Sequence, residues 1–190
     1  MADWTNQQAL VLGLGSRGRA ACELLARHGA RVTALDEADT PELRAAAAGL
    51  RACGVETHLA ARALPAARFD FAVLSPAVTQ QHALVRQLDA RGVPVTGVLE
   101  LAAQQFQCLS IAITGTNGKG TTAELVERML QRAQRRVLRA GHEARSVCAV
   151  ADDTRELDYL ILQLSAFHLE TTQYFRPAVA VLLNLAPDHL

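Results

Sequence analysis

The stretch that decides the fold is SIAITGTNGKGTTAELVERML, residues 110 to 130. Ile111-Ala112-Ile113 is short, apolar and rich in β-branched residues, the signature of a buried strand. From Glu124 onward, Leu125, Val126, Met129 and Leu130 recur at helical spacing, and Glu124, Glu127, Arg128 and Gln131 fill the other face. A strand feeding a glycine-rich turn and then a helix gathers free backbone N–H groups and the positive helix end at one point. Lys119 adds a point charge, and Thr121 or Thr122 offers a hydroxyl to a metal. The stretch therefore predicts a phosphate cradle. It departs from the strict G-x-x-x-x-G-K-[ST] pattern: Ile113 stands where the first glycine belongs, and Gly120 where the Ser/Thr belongs. Gly115, Gly118, Lys119 and Thr121 still fall in the right order.

Working outward, the 190 residues suffice for one domain or two small ones. Half are hydrophobic and 20% are charged, a globular composition. Nineteen basic residues balance nineteen acidic ones, so nothing electrostatic supports nucleic-acid binding. Cys22, Cys53, Cys108 and Cys148 form no C-x-x-C pair and read as reduced thiols. The opening MADWTNQQ lacks a signal-peptide pattern, and no apolar run approaches membrane-spanning length. The expectation is a soluble, cytoplasmic protein that engages neither membrane nor nucleic acid.

A second glycine loop lies upstream. Residues 9–12, ALVL, read as a strand, followed by Gly13-x-Gly15-x-x-Gly18, a helix to about His28, and a strand Arg31–Leu35 ending at Asp36. This is the first βαβ unit of a doubly wound sheet, with an acidic residue about twenty positions on, where a ribose hydroxyl is met. The loop has no lysine, so it suits a diphosphate held by backbone, in a dinucleotide or a nucleotide-sugar. Thr40 as N-cap, Pro41 in the first turn and Gly54 as the stop predict a helix between them. Further strands are predicted at FDFAVLSP, VPVTG, RRVLRAG, LDYLILQLS and AVAVLLNLAP, with helices at HALVRQLDARG and LELAAQQF. The predicted organisation is α/β: a Rossmann-like unit over 1–93, a linking helix region over 94–107, and a P-loop unit over 108–190.

The order GLGSRG, ALDEADT, VLSPAV, ITGTNGKGTT, LILQLSAFHLETT, LLNLAPDHL resembles the Mur ligases of peptidoglycan synthesis. The resemblance runs from about residue 7 to residue 190, and TGTNGK and LSAFHLETT are its most specific parts. It is strongest to the D-glutamate-adding members, and implies ATP-dependent amide formation through an acyl phosphate, with UDP-N-acetylmuramoyl-L-alanine and D-glutamate as substrates and ATP and Mg2+ as cofactors. The first unit would hold the UDP-sugar and the second ATP.

Carried over by motif, Gly115, Thr116, Asn117, Gly118, Lys119, Gly120, Thr121 and Thr122 line the ATP site. Lys119 and His189 are the catalytic candidates. Thr121 (or Thr122), Gln163 and His189 are the metal candidates. Gly13, Leu14, Gly15, Ser16, Gly18, Asp36, Ser75 and Ser165 belong to the UDP-sugar site. The family also has a third, amino-acid-binding domain and a later lysine, which would lie beyond residue 190. The implied expectation is a truncated chain, inactive alone.

Four departures from the family pattern stand out. Gln163 occupies the place of a magnesium-binding glutamate. The turn Ala140-Gly141-His142-Glu143-Ala144 replaces A-G-N-I-G. The arginine expected shortly after Asp36 is absent, since Glu37 and Ala38 follow, and the inserted Gly120 is more like the related folylpolyglutamate synthases. His28, His58 and His82 read as solvated surface histidines. His168 stands where the family usually has Gln. Glu170 is expected to open a helix, Asp152-Asp153 to form a solvated turn, and Arg132, Arg135, Arg136 and Arg139 to sit on solvated ends of elements. Two competing readings are an NAD-binding Rossmann protein, which leaves Lys119 without a role, and a non-catalytic nucleotide-binding remnant of a ligase, which Gln163 favours.

Overall fold

The structure, a computed structural model, describes residues 1–141 and 145–187. Five segments, β1 (Gln8–Leu12), β2 (Arg31–Leu35), β3 (Glu56–His58), β4 (Phe71–Leu74) and β5 (Val95–Gly97), form a parallel sheet in the order β3-β2-β1-β4-β5. Helices α1 (Ser16–Arg27), α2 (Pro41–Ala52) and α3 (Ala83–Ala90) provide the crossovers. Because β1 has β2 on one side and β4 on the other, the strand order reverses at its carboxyl end, where an open parallel sheet leaves a crevice. The capping logic of α2 holds: Thr40 accepts from the Leu43 amide at 3.3 Å and Pro41 sits at the first turn.

After a short helix, α4 (Val98–Ala103), a second parallel sheet follows. Its strands are β6 (Leu109–Thr114), β7 (Val137–Gly141), β8 (Tyr159–Gln163) and β9 (Val179–Leu182), in the order β7-β8-β6-β9. Helix α5 (Lys119–Arg132) leaves the end of β6, and α6 (Val147–Val150), a 3-10 turn (Ala151–Glu156) and α7 (Ala166–Glu170) complete the unit. Here β6 is flanked by β8 and β9, so the second reversal point lies beside the Lys119 loop.

One apolar cluster runs through both units. Leu24 and Leu25 of α1, Leu99 and Leu101 of α4, Cys148 and Val150 of α6, and Leu160 and Leu162 of β8 all belong to it. Five residues of α4, Val98 to Ala102, are buried. The helix region between the units is thus packed core.

Several elements differ from expectation. Helix α5 begins at Lys119, not Glu124, because Gly118 takes a left-handed conformation (φ 84°) and turns the chain into the helix at once. Of its apolar positions, Val126 and Leu130 pack on the sheet, whereas Leu125 and Met129 are 54% and 69% exposed. Glu170 closes α7 and does not open it, so it has no favourable helix-dipole position. Strand β3 and helix α6 were not foreseen; three and four residues are too few for periodicity to show. Asp152 is not a free turn residue. It lies in the 3-10 turn and is bonded by Arg27 at 2.9 Å and His28 at 2.7 Å, both at the end of α1.

Candidate active site

The first crevice is built by its glycines. Gly13 has φ 87°, accessible to glycine at little cost. A Cβ on Gly18 would lie 1.7 Å from the Gly13 carbonyl oxygen, so the start of α1 can approach the loop only because Gly18 has no side chain. Gly15 is different: a Cβ there meets nothing within 4 Å. It faces open space at the N-terminus of α1, where an anion is favoured. Ser16 is the first residue of that helix and is exposed.

Asp36 shapes this loop. Its Oδ2 accepts the Leu14 amide at 2.7 Å and its Oδ1 accepts the Ala38 amide at 2.9 Å. Leu14 therefore gives its N–H to Asp36 and its side chain to the core, where it is 1% exposed. Leu14 supports the crevice from behind. A cavity of about 440 Å³ opens here, walled by Gly13, Gly15, Asp36, Ser75 and His82. The Nδ1 of His82 accepts the Leu84 amide, and its Nε2 lies 3.1 Å from Glu37 Oε2. The neutral ring therefore carries its proton on Nε2. His28 and His58 likewise pair with acids, Asp152 and Glu56, and none of the three joins a metal cluster among the described residues.

The second crevice is the Lys119 loop. Gly115 (φ 145°) and Gly118 (φ 84°) bend it. Lys119 is folded over it, its Nζ donating to the carbonyls of Gly115 at 2.7 Å and Thr116 at 3.0 Å. An ammonium held by loop carbonyls beside a helix start is poised to move to a phosphate oxygen. The loop's shape is set by residues after β9. Asn184 Oδ1 accepts the Asn117 amide and its Nδ2 donates to the Asn117 carbonyl, both at 3.0 Å. Thr116 Oγ1 donates to the Ala186 carbonyl and accepts the Ala186 amide. Asn184 was not foreseen as a site residue; its only signal was being the first letter of N-x-x-x-D-H. Thr121 is exposed and Thr122 half-buried on the first turn of α5, with Gly120 between them and Lys119.

Gln163 ends β8, in register with Ile113 and Gly141 and only 3% exposed. Gly141 has no side chain for a clear reason: a Cβ would lie 2.1 Å from the Gln163 carbonyl oxygen. The loop suits a triphosphate. For magnesium, the described candidates Thr121, Thr122 and Gln163 are all uncharged, and among the described residues no group of three or more His, Cys, Asp or Glu is placed to hold a metal. His189, along with His142, Glu143 and Ala144, lies outside the described residues.

Between the crevices, Ser165 and His168 form a reciprocal capping pair at the start of α7, with Ser165 Oγ 2.8 Å from His168 Nδ1. His168, 1% exposed, thus does the structural task that a glutamine at the same helix position performs. Burial pushes the Cys22 thiol up to about 12 and raises that of Cys148, which makes both packing residues; the half-buried Cys108 thiol is also raised by its burial.

Residues 113–190 match the model of the Mur ligase middle domain. The second unit is thus similar to the Mur ligase middle domain over nearly its whole length. The chain is 38% identical over 185 residues to the UDP-N-acetylmuramoylalanine–D-glutamate ligase of Acidobacterium capsulatum, matching 97% of this chain and 40% of that protein. The ligase of the same name from Frankia casuarinae is 38% identical over 190 residues, 98% of this chain and again 40% of the relative. The chain thus spans two fifths of the length of these curated relatives. Among solved structures, the UDP-N-acetylmuramate:L-alanyl-gamma-D-glutamyl-meso-diaminopimelate ligase of Neisseria meningitides has the same fold over 97% of this chain and 62% of its own, with TM-score 0.59 and 17% identity. A murein peptide ligase from Psychrobacter arcticus follows with TM-score 0.54, 17% identity, 96% of this chain and 44% of its own. The two crevices therefore lie on a fold shared with these ligases, and no helix among the described residues is long and apolar enough to cross a membrane.

Proposed function

We propose that this chain carries the two nucleotide sites of an ATP-dependent ligase that joins D-glutamate to UDP-N-acetylmuramoyl-L-alanine in the cytoplasm. The observation that carries the reading is the pairing of two unlike anion cradles at the carboxyl ends of two parallel sheets, of which only the second has a lysine. The backbone from Gly13 to Gly18 and the start of α1 hold the diphosphate of the UDP-sugar. The Lys119 loop holds ATP, and Lys119 exchanges its bonds to Gly115 and Thr116 for phosphate oxygens. The terminal phosphoryl group passes to the alanyl carboxylate and ADP leaves; the amine of D-glutamate then attacks the acyl carbon, phosphate leaves, the nitrogen gives up a proton and an amide forms. Little covalent chemistry falls to the protein, whose task is alignment and charge neutralisation. Thr121 or Thr122, Gln163 and His189 are the residues assigned to magnesium, which supplies positive charge beside the phosphates.

Calorimetric titration tests this. UDP-N-acetylmuramoyl-L-alanine and magnesium-ATP are expected to bind independently, and Lys119→Ala to weaken ATP by roughly 30- to 100-fold, the scale of a lost charged hydrogen bond. The UDP-sugar is expected to bind that variant as before. NADH binding that competes with the UDP-sugar, without ATP binding, would instead favour an oxidoreductase. A non-catalytic nucleotide binder is favoured by one observation, the neutral Gln163 at the end of β8, and predicts ATP binding that does not depend on magnesium.

A further inference from the structure

Segment 164–175 joins the two crevices. It leaves β8 beside the Lys119 loop, where the Leu164 amide donates to the Ile113 carbonyl at 2.9 Å. Its far end meets the first sheet, its loops and α4 at three points. Gln80 donates to the Glu170 carbonyl at 3.1 Å, and Gln80 belongs to the loop whose Ser75, Ala77 and His82 wall the first crevice. Gly97, at the end of β5, is so close to Thr171 that a Cβ would lie 2.0 Å from its hydroxyl. Glu100 of α4, 7% exposed, accepts three successive backbone amides on one carboxylate oxygen: Gln173 at 2.7 Å, Tyr174 at 2.8 Å and Phe175 at 2.8 Å.

Three amides converging on one buried anionic oxygen make a charge-assisted nest, stronger than neutral bonds and specific in geometry. The charge is placed where the bridge meets the helix shared by both units.

We propose that Glu100 is a positioning residue: by anchoring 173–175 it fixes the course of the 164–172 bridge, and so fixes where the acyl end of a UDP-sugar bound in the first crevice meets the Lys119 loop. The proposal rests on the UDP-sugar reading above. It separates two parts of one ligand. The uridine diphosphate end contacts the Gly13–Gly18 loop, which Glu100 does not touch, while the acetylmuramoyl-alanine end runs along the bridge.

The test is calorimetry of UDP alone, UDP-N-acetylmuramoyl-L-alanine, and magnesium-ATP on the unaltered chain, Glu100→Gln and Glu100→Ala. UDP and ATP affinities are expected to stay within about twofold. The whole UDP-sugar is expected to weaken by roughly tenfold in Glu100→Ala, the scale of one charge-assisted bond, and by less in Glu100→Gln, which keeps an acceptor oxygen. An equal loss for UDP and for the conjugate would overturn the proposal and leave Glu100 a packing residue. Amide hydrogen exchange supplies a readout free of ligand: Glu100→Gln, which keeps the side-chain shape, must speed exchange at His168 and Leu169 as well as at 173–175. A change confined to 173–175 overturns the proposal. If the unaltered chain binds neither UDP nor its conjugate, the UDP-sugar reading falls, and exchange alone decides whether Glu100 sets the bridge.

Discussion

The two glycine loops look alike in sequence and are held in opposite ways. The first is closed by its own neighbourhood: Asp36 takes the Leu14 amide, and Gly18 packs on Gly13 five residues away. The second is shaped by Asn184 and Ala186, about seventy residues further on. The first loop thus draws its shape largely from residues of its own βαβ unit, whereas the loop that carries Lys119 takes its shape from the chain after β9 and so reports on that distant segment.

The largest effect that bears on this contrast belongs to Gly18. Gly18→Ala places a methyl group against the Gly13 carbonyl and is expected to destabilise the chain by about 3 kcal/mol, the upper range for overpacking. Gly15→Ala, in open space, is expected to change stability by less than ~0.5 kcal/mol and yet weaken UDP-sugar binding. Urea denaturation of the pair distinguishes a packing glycine from a ligand-facing one; similar stabilities would break the distinction.

Next in size is Gln163→Glu. An added carboxylate at the end of β8 is expected to raise magnesium-dependent ATP affinity by roughly 10- to 100-fold, by analogy with outer-shell effects on metal sites. ATP titration across magnesium concentrations reads it, and an unchanged magnesium dependence would place residue 163 away from the metal. Asn184→Ala should follow. Losing both bonds to Asn117 is expected to lower ATP affinity roughly tenfold while the first crevice keeps its UDP-sugar affinity. Equal losses at both sites would mean that the second loop is not separately controlled.

The smallest effect is at Asp152, which ties the 3-10 turn to the end of α1. Burial raises its pKa, but bonds from His28 and Arg27 outweigh that, and the net shift is downward. A depressed folded pKa means that its contribution is present above the unfolded value near 3.8 and lost as pH falls through the lower folded value. With 37% of the side chain exposed, solvent screening limits the effect: Asp152→Asn is expected to cost no more than about 0.5–1 kcal/mol at neutral pH, with the difference from the unaltered chain shrinking as pH falls through the lowered folded value. Thermal melts at several pH values check both size and sign.

Local chemistry was the legible part of this chain. The apolar runs, the glycine loops and the Thr40–Pro41 helix start each announce themselves within a few residues, and the parallel sheets follow from their alternation with helices. What stayed hidden is long-range. Asn184 reaches Asn117 across 67 residues, Glu100 reaches 173–175 across more than seventy, and Asp152 reaches α1 across more than a hundred and twenty. An asparagine or glutamate in such a contact has no periodicity and no spacing to mark it. Helix α5 misled for a related reason: spacing alone cannot say which of Leu125, Val126, Met129 and Leu130 meet the sheet. Glu170 was misplaced because α7 has only five residues, too short for its start and end to be told apart.

The single core through α1, α4, α6 and β8 also bears on how such chains can be recombined. A breakpoint between 94 and 107 looks like a natural seam between units, but Leu99 and Leu101 contribute to packing on both sides of it. A chimera joined there inherits mismatched faces unless α4 travels together with both α1 and α6. A crossover at 61–68 fares no better, because it leaves α1 on one side of the join and α4 and α6 on the other; an exchangeable piece has to carry all three helices together.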